Sequence, residues 1–407
     1  MEAARTIVII GPTRPLYSVR ALTVTTLLAC RLIKKYRVIH FDSGASGEPR
    51  LVVGREPSGE ALNASQAIRL LCLLVRTRPE LVYLAVSETS AGYVWDSVCI
   101  LLARWVGATV VIHLQGAHFR SWYEHAGKLA QAYARLVLSN VARVIVPTES
   151  LEVLFRDLVP LKTVATVPNG IAWEREQPKP GVGMERSRHR ILFLSHHDRS
   201  NGAFVQLAAL RLLVNVRQDV ECVFAGPWPQ GADRREADAF VQQHGLQRHV
   251  IFTDQLQGED KLKLLESTDL FVLHSPSPEG HTPDVLEAMA AGLPIVFANC
   301  SALRDVVADW ENGFEVKSND PESLANRLLW CLAHPQVMKE MGEKSRRRYE
   351  SYYTREHFET NMIRIFSQLA RSDEAGGVVI PISRAVKGWG SGPRRLAATT
   401  KSDERSG

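Results

Sequence analysis

Short runs of β-branched and apolar residues recur along this chain with longer helical patterns between them, and they do so in two separate series. Thr6–Ile10, Val38–Phe41, Leu81–Val86, Thr109–Leu114 and Val144–Val146 form the first series. Ile191–Ser195, Glu221–Ala225, Val250–Phe252, Leu270–Leu273 and Pro294–Phe297 form the second. A helix between successive strands carries the chain back to the same end of the sheet, so strict alternation predicts parallel strands with helices on both faces. At 407 residues the chain exceeds the roughly 250–300 at which one hydrophobic core stops growing. The expected fold class is therefore α/β, with two Rossmann-like doubly wound parallel-sheet domains.

The two series are parted by Trp173 to Arg190, where Gln177-Pro178-Lys179-Pro180-Gly181 interrupts any periodicity. Proline and glycine together deny a segment both helix and strand, so residues 173–190 read as a linker between domains spanning 1–172 and 191–354. The last strongly periodic helix runs roughly Glu356 to Leu369. Beyond it, residues 372–407 turn Gly-, Ser- and Arg-rich, and a disordered tail is expected.

Composition excludes several classes. Hydrophobic residues make up 45% and charged residues 23%, the balance of a folded globular chain and not of a disordered one. The six cysteines, Cys30, Cys72, Cys99, Cys222, Cys300 and Cys331, lie far apart with no CxxC pair, so reduced and mostly buried thiols are expected. Apolar stretches around 70–75 and 98–114 are interrupted by charge before the ~20 residues a spanning helix needs. The run into Gly11-Pro12 is too short for a secretory leader, which makes the cytoplasm the expected compartment. A net charge of +5 suits an anionic substrate or membrane surface, while no basic stripe with interleaved aromatics points to nucleic acid.

The chemistry concentrates between Leu273 and Pro294. A buried strand ends at Leu273 and a Pro/Ser/Gly loop follows. A helix then opens with Thr282 as N-cap, Pro283 at its first position and Asp284 against the dipole, and Gly292 closes it. A loop feeding a helix N-terminus at the carboxyl end of a parallel strand is an anion site, and a diphosphate fits it. Glu279 stands in that loop and Glu287 lies about one and a half turns into the helix, placed to bind hydroxyls on either side of the diphosphate. Either glutamate alone reads as a solvated side chain; the length of the patterned segment argues otherwise.

This segment resembles the Glu-x-x-x-x-x-x-x-Glu signature of retaining glycosyltransferase family 4, whose fold is GT-B. Here Glu279 and Glu287 fill it, with Gly280, Leu286-Glu287-Ala288-Met289-Ala290 and Gly292-Leu293-Pro294 around them. Val167-Pro168-Asn169-Gly170-Ile171, Phe224-Ala225-Gly226-Pro227, Ser267 to Leu273 and Glu311-Asn312-Gly313-Phe314 extend the resemblance over roughly Thr6 to Leu369.

The resemblance implies two domains facing a central cleft, with the helix at about 355–370 packing back on the first. It implies transfer of a hexose from a UDP- or GDP-sugar to an acceptor glycan, lipid-linked glycan or small molecule, in polysaccharide or glycoconjugate assembly. Glu279 would hold the hexose as the catalytic carboxylate and Glu287 the ribose, with Gly280, His281, Thr282, Gly11 and Gly116 lining the donor. Configuration at the anomeric carbon would be retained, the departing phosphate would take the acceptor proton, and no metal or other cofactor would be needed.

Three places depart from the family pattern. The loop Phe193 to Ala203 has Asn201 where a lysine usually grips the diphosphate; Arg199 is the substitute, with His196 and His197 as weaker contacts. Gln115 stands where a histidine usually reaches the sugar; it still hydrogen-bonds but carries no charge, and His118 is the nearest alternative. Tyr17-Ser18 replaces small residues in the first loop, beside Arg14 and Arg20, which are either contacts for an anionic acceptor or solvated. A helix around Leu27 to Tyr36 with Arg31, Lys34 and Lys35 either packs ordinarily or makes a peripheral membrane contact. The altered positions keep a second function open, an inert nucleotide-sugar-binding or scaffold subunit.

Overall fold

The computed structural model describes residues 5–13, 18–31, 35–43, 64–87, 89–116, 118–153, 155–173, 175, 188–199, 201–273, 283–298 and 301–372. The first half runs β1 (Thr6–Ile10), α1 (Val19–Ala29), β2 (Arg37–Phe41), α2 (Ala64–Thr77), β3 (Leu81–Ala85), α3 (Ser90–Trp105), β4 (Thr109–His113), α4 (His118–His125), α5 (Lys128–Leu138), β5 (Arg143–Val146), α6 (Glu149–Val153) and β6 (Val164–Thr166). The second runs β7 (His189–Leu194), α7 (Ala203–Val214), β8 (Val220–Ala225), α8 (Gly231–Gln243), β9 (Val250–Thr253), α9 (Gly258–Glu266), β10 (Leu270–Leu273), α10 (Pro283–Ala290), β11 (Ile295–Ala298), α11 (Ser301–Arg304) and β12 (Gly313–Val316). Three helices close the described chain: α12 (Pro321–Ala333), α13 (Pro335–Tyr352) and α14 (Arg355–Ser372).

The strands form two six-stranded sheets, ordered β2-β1-β3-β4-β5-β6 and β12-β11-β10-β7-β8-β9. Every pairing among the described strands is parallel. Strand order reverses between β1 and β3 in the first sheet and between β7 and β10 in the second. Such switch points open a crevice at the carboxyl ends of the strands, where α/β sheets bind ligands. In the second sheet the crevice lies between the loop after β7 and the N-terminus of α10.

Burial on both faces explains the strand sequences. In β7, Leu192 and Leu194 pack with Phe271, Leu286 and Met289 on one side, while Ile191 and Phe193 pack with Leu207, Leu210 and Leu213 on the other. Two edge strands are short or broken in sequence. β6 is only Val164-Ala165-Thr166 and β12 opens on Gly313, and neither stands out as an apolar run in the sequence. β7 begins at His189, inside the expected 173–190 linker, because the backbone N–H of His189 is drawn to Asp219 O at 2.8 Å. Residues 176–187 of that linker and residues 373–407 of the tail lie outside the described residues.

The last helix belongs to the first core. Phe358, Met362, Ile365, Phe366 and Leu369 of α14 share a buried cluster with Ile7, Ile9, Val24, Tyr83, Val111 and Ile145. The chain makes this crossing at Gly170. A Cβ there would meet Thr354 O at 2.4 Å, so only glycine lets the two backbones pass. Ile171 N donates to Tyr353 O at 3.1 Å and Arg355 N to Ile171 O at 2.9 Å, which pins the crossing. Ser150 N, donating to Asp305 Oδ2 at 2.9 Å, adds a second tie between the halves.

The helix expected from Leu27 to Tyr36 stops, as α1, at Ala29. Its basic residues turn to α14: Arg31 pairs with Glu359, and Lys35 Nζ donates to Ser367 Oγ at 2.9 Å. Lys34 lies outside the described residues. Among the described cysteines, Cys30, Cys99, Cys222 and Cys331 are buried and Cys72 is exposed, all of them free thiols. No helix among the described residues is long and apolar enough to cross a membrane.

Candidate active site

The loop after β7 is held from beneath by the loop after β8. Gly226 sits at φ +142°, and a Cβ there would come within 2.0 Å of Ser195 O, so only glycine allows the two loops to touch. His197 N donates to Pro227 O at 2.9 Å. The His197 ring is buried between Phe224 and Trp228, at centroid distances of 5.5 and 5.2 Å. It is thus a packed histidine under the loop, not one of the solvent-side contacts expected from the sequence. Burial pushes it down to about 4, the neighbouring His196 and Arg234 working the same way against Ala225 and Asp198.

The next turn is organised by Asp198. Its carboxylate accepts from Asn201 N at 2.7 Å and from Asn201 Nδ2 at 3.3 Å, an Asx-type turn that sets the entry into α7. The Asn201 amide is therefore spent on the loop itself. Arg199 stacks over the Phe204 ring at 4.5 Å and pairs with Glu236, with Asp233 at 3.9 Å. Its guanidinium is exposed but engaged by α8. His196 is exposed at the loop surface.

Across the switch point, α10 presents Glu287. Gly292, at φ +74°, ends the helix in the left-handed turn that the sequence pattern predicts. Val285, Leu286, Ala288, Met289 and Ala290 are buried and fix the helix against the sheet. Glu287 Oε2 is buried and lies 2.5 Å from Lys261 Nζ, which also donates to Asp284 Oδ1 at 2.8 Å. Burial lowers the Lys261 ammonium, but its two carboxylate neighbours outweigh that and hold it above the ordinary lysine range. Burial lifts the Glu287 carboxyl above the usual carboxylate range, with Lys261 pulling it down and Asp284 pushing it up.

On the opposite side, Gln115 and Gly116 follow β4. Gln115 is buried, and its Oε1 accepts from Asn169 Nδ2 at 2.9 Å, joining the end of β4 to the Val167–Ile171 segment. Gln115 Nε2 and Asn169 Oδ1 are buried without a partner among the described residues. Gly11 ends β1, where a Cβ would stand 2.7 Å from Val24 Cγ2, so the glycine brings α1 close to the strand end. Arg20 is neither solvated nor open to an acceptor: it is buried, donating to Ser87 Oγ at 3.3 Å and Ala85 O at 3.0 Å. Behind this face, His113 Nδ1 is hydrogen-bonded with Tyr83 Oη at 2.8 Å, and burial pushes the imidazole down to about 3.

The structure thus sets Glu287 on one side of the second switch point and His196, Arg199 and Asn201 on the other, with Gln115, Gly116 and Gly11 at strand ends of the first sheet. Glu279, Gly280, His281, Thr282, Arg14 and Tyr17 lie outside the described residues, as does the His118 side chain. Among the described residues no group of His, Cys, Asp or Glu is arranged to hold a metal ion. Lys261 is the site residue that sequence reasoning missed. In Gly258-Glu259-Asp260-Lys261-Leu262-Lys263 it looks like any helix-surface lysine, and only its register on α9 separates it from the exposed Lys263.

Comparison with known proteins meets the geometry at this point, for residues 175–348 match the model of glycosyl transferases group 1. The chain carries a group 1 glycosyltransferase domain. Within that group 1 domain lie β7 to β12, α10 and the Lys261–Glu287 pair. The chain is 28% identical over 237 residues to the phosphatidyl-myo-inositol mannosyltransferase of Mycobacterium leprae, the match covering 57% of each chain. It is 24% identical over 261 residues to spore coat protein SA of Bacillus subtilis, covering 59% of this chain and 69% of that one. The matched region therefore spans little more than half the length of the curated mannosyltransferase.

In fold, the glycosyltransferase from Rickettsia africae superposes with a TM-score of 0.67 at 14% identity, over 90% of this chain and 98% of that one. Anabaena HepE in complex with UDP-glucose superposes with a TM-score of 0.67 at 17% identity, over 89% and 99%. The architecture is GT-B: two parallel α/β domains, the group 1 domain being the second.

Proposed function

We propose that this protein is a retaining hexosyltransferase that takes a hexose from a nucleotide-diphosphate sugar and passes it to a glycan, lipid-linked glycan or small-molecule acceptor. The observation that supports this most is Glu287 on α10, at the carboxyl edge of the β7/β10 switch point and inside the group 1 domain. The relatives that are mannosyltransferases and the neighbour holding UDP-glucose support a nucleotide sugar as donor. Cell-surface polysaccharide or glycoconjugate assembly is the setting this reading favours.

In this reading Glu287 accepts from the ribose hydroxyls and Glu279 from the hexose. The bond from the anomeric carbon to the diphosphate oxygen breaks as the acceptor oxygen approaches the same face, and the acceptor proton passes to the departing phosphate. What the protein must supply is stabilisation of charge that develops in the transition state. Backbone N–H groups at the start of α7 and α10 serve that need. No metal is required on this reading.

Incubating the purified protein with UDP-, GDP- and ADP-hexoses in chelator, and following thermal stabilisation with nucleotide release, tests it. One donor is expected to stabilise the protein, by about 2.7 kcal/mol at a hundredfold excess over Kd, and to be slowly hydrolysed. Both effects are expected to fade in Glu279→Ala and Glu287→Ala. Binding without any release, even with acceptors present, would replace the transferase by a donor-binding subunit; no binding at all would remove the donor site.

A further inference from the structure

Lys261 is an unusual lysine for a helix whose other charges face outward. Lys263, two residues on and so on a different side of the turn, is exposed and spaced 3.8 Å from Glu259. Lys261 has four-fifths of its side chain covered and points from α9 across to α10, with Nζ 2.8 Å from Asp284 Oδ1 and 2.5 Å from Glu287 Oε2. A cation set between two carboxylates of the neighbouring helix has given up most of its hydration, and those contacts replace it. The ion pair occupies Oε2, which is buried, whereas a quarter of the Glu287 side chain remains accessible. One carboxylate oxygen is therefore fixed by protein and the other is left for a ligand.

We propose that Lys261 is a positioning residue for the nucleotide: by locking Oε2 of Glu287 it aims Oε1 at the vicinal hydroxyls of the donor's ribose. This rests on the reading of Glu287 as the ribose-binding carboxylate and goes beyond it. A carboxylate free to rotate would lose side-chain entropy on each binding event; one already held by an ammonium does not. Charge matters as much as direction, since an ionised carboxylate accepts hydroxyl hydrogen bonds about twice as strongly as a neutral group. Among the described residues, the charged groups acting on Glu287 are Lys261 from α9 and Asp284 from its own helix. From α13, Arg346 is engaged with Ala290 O and with Glu350 instead.

Affinity for UDP and GDP, each against its 2′-deoxy counterpart, is measured from pH 5 to 9 on the wild type, Lys261→Met, Lys261→Arg, Asp284→Asn and Glu287→Gln. In the wild type, affinity for the ribonucleotide that binds should rise as Glu287 ionises, and it should exceed that for the deoxy form about tenfold. Lys261→Met should move the midpoint of that rise to higher pH by a unit or more and erase the preference for ribose, while Lys261→Arg keeps both. Asp284→Asn should move the midpoint the opposite way, which keeps the test sharp if the methionine variant does not fold.

Uniform weakening in Lys261→Met at every pH, with the midpoint and the ribose preference unmoved, would reduce Lys261 to a structural part and overturn the proposal. An unmoved midpoint in Asp284→Asn would do the same. If Glu287→Gln itself leaves affinity and ribose preference intact, or neither nucleotide binds, the ribose reading of Glu287 fails and the proposal fails with it.

Discussion

At the scale of single residues, the buried histidine under the donor-side loop makes stability depend on acid. His197 titrates near 6.5 when unfolded but is held down to about 4 in the fold, chiefly by burial. Between those values the unfolded chain binds a proton that the native chain refuses, so the stabilisation is complete above about 6.5 and is lost as pH falls through about 4. The slope is about 1.4 kcal/mol for each pH unit in that window. His113, pushed down to about 3 by burial, adds a second contribution of the same sign that continues further into acid. Replacing His197 with phenylalanine keeps a ring between Phe224 and Trp228 and removes the proton. Unfolding free energies from urea titrations at pH 7.5 and 4.5 are expected to differ by about 2–3 kcal/mol less in His197→Phe than in the wild type. Equal acid sensitivity in the two proteins would mean that His197 is protonated in the native state.

At the scale of elements, the loops after β7 and β8 behave as one unit because Gly226 lets them touch. Gly226→Ala places a Cβ 2.0 Å from Ser195 O at a φ that side chains avoid. Overpacking of this kind costs about 1–3 kcal/mol, and the strained backbone a similar amount again. The variant should lower the urea midpoint and weaken donor binding together, since Asp198, Arg199 and Asn201 follow directly from Ser195; a fall in stability with unchanged donor affinity would show that this loop does not touch the donor. How far such elements can be read from sequence depends on what they bury. β8 reads itself, because Cys222, Val223, Phe224 and Ala225 are covered on both faces, while β6 is a three-residue edge and β12 sets its buried Phe314 and Val316 between Gly313 and Glu315, so neither makes an apolar run. Glu287 was legible for a similar reason: strand, loop, helix start and Gly292 are consecutive in the chain. Lys261 was not, because its partner Asp284 is 23 residues away, and charge pattern alone does not tell an inward lysine from an outward one. Nor does anything local to Arg199 announce that Glu236, 37 residues on, will engage its guanidinium.

At the scale of the whole molecule, the two domains are unequal in what they need from each other. All buried members of the second domain's two core clusters except Ile171 lie between residues 191 and 353. The first domain's core instead takes Phe358, Met362, Ile365, Phe366 and Leu369 from α14, beyond the end of the second domain. Five such side chains at about 1.5–3 kcal/mol each give an upper bound of roughly 8–15 kcal/mol, as large as the net stability of an ordinary domain. A fragment of residues 188–354 should therefore unfold cooperatively on its own. A fragment ending at residue 173 should not, because α14 leaves Ile9, Tyr83 and Val111 uncovered when it is absent. Urea titrations followed by circular dichroism check both expectations, with 355–372 joined to the short fragment through a flexible Gly/Ser linker as the restoring control. Restoration by that segment, and not by one in which Phe358, Met362 and Phe366 are changed to serine, would trace the dependence to its apolar face. Cooperative unfolding of the bare N-terminal fragment would show that the first core closes without α14, and that the helix serves only to tether the domains.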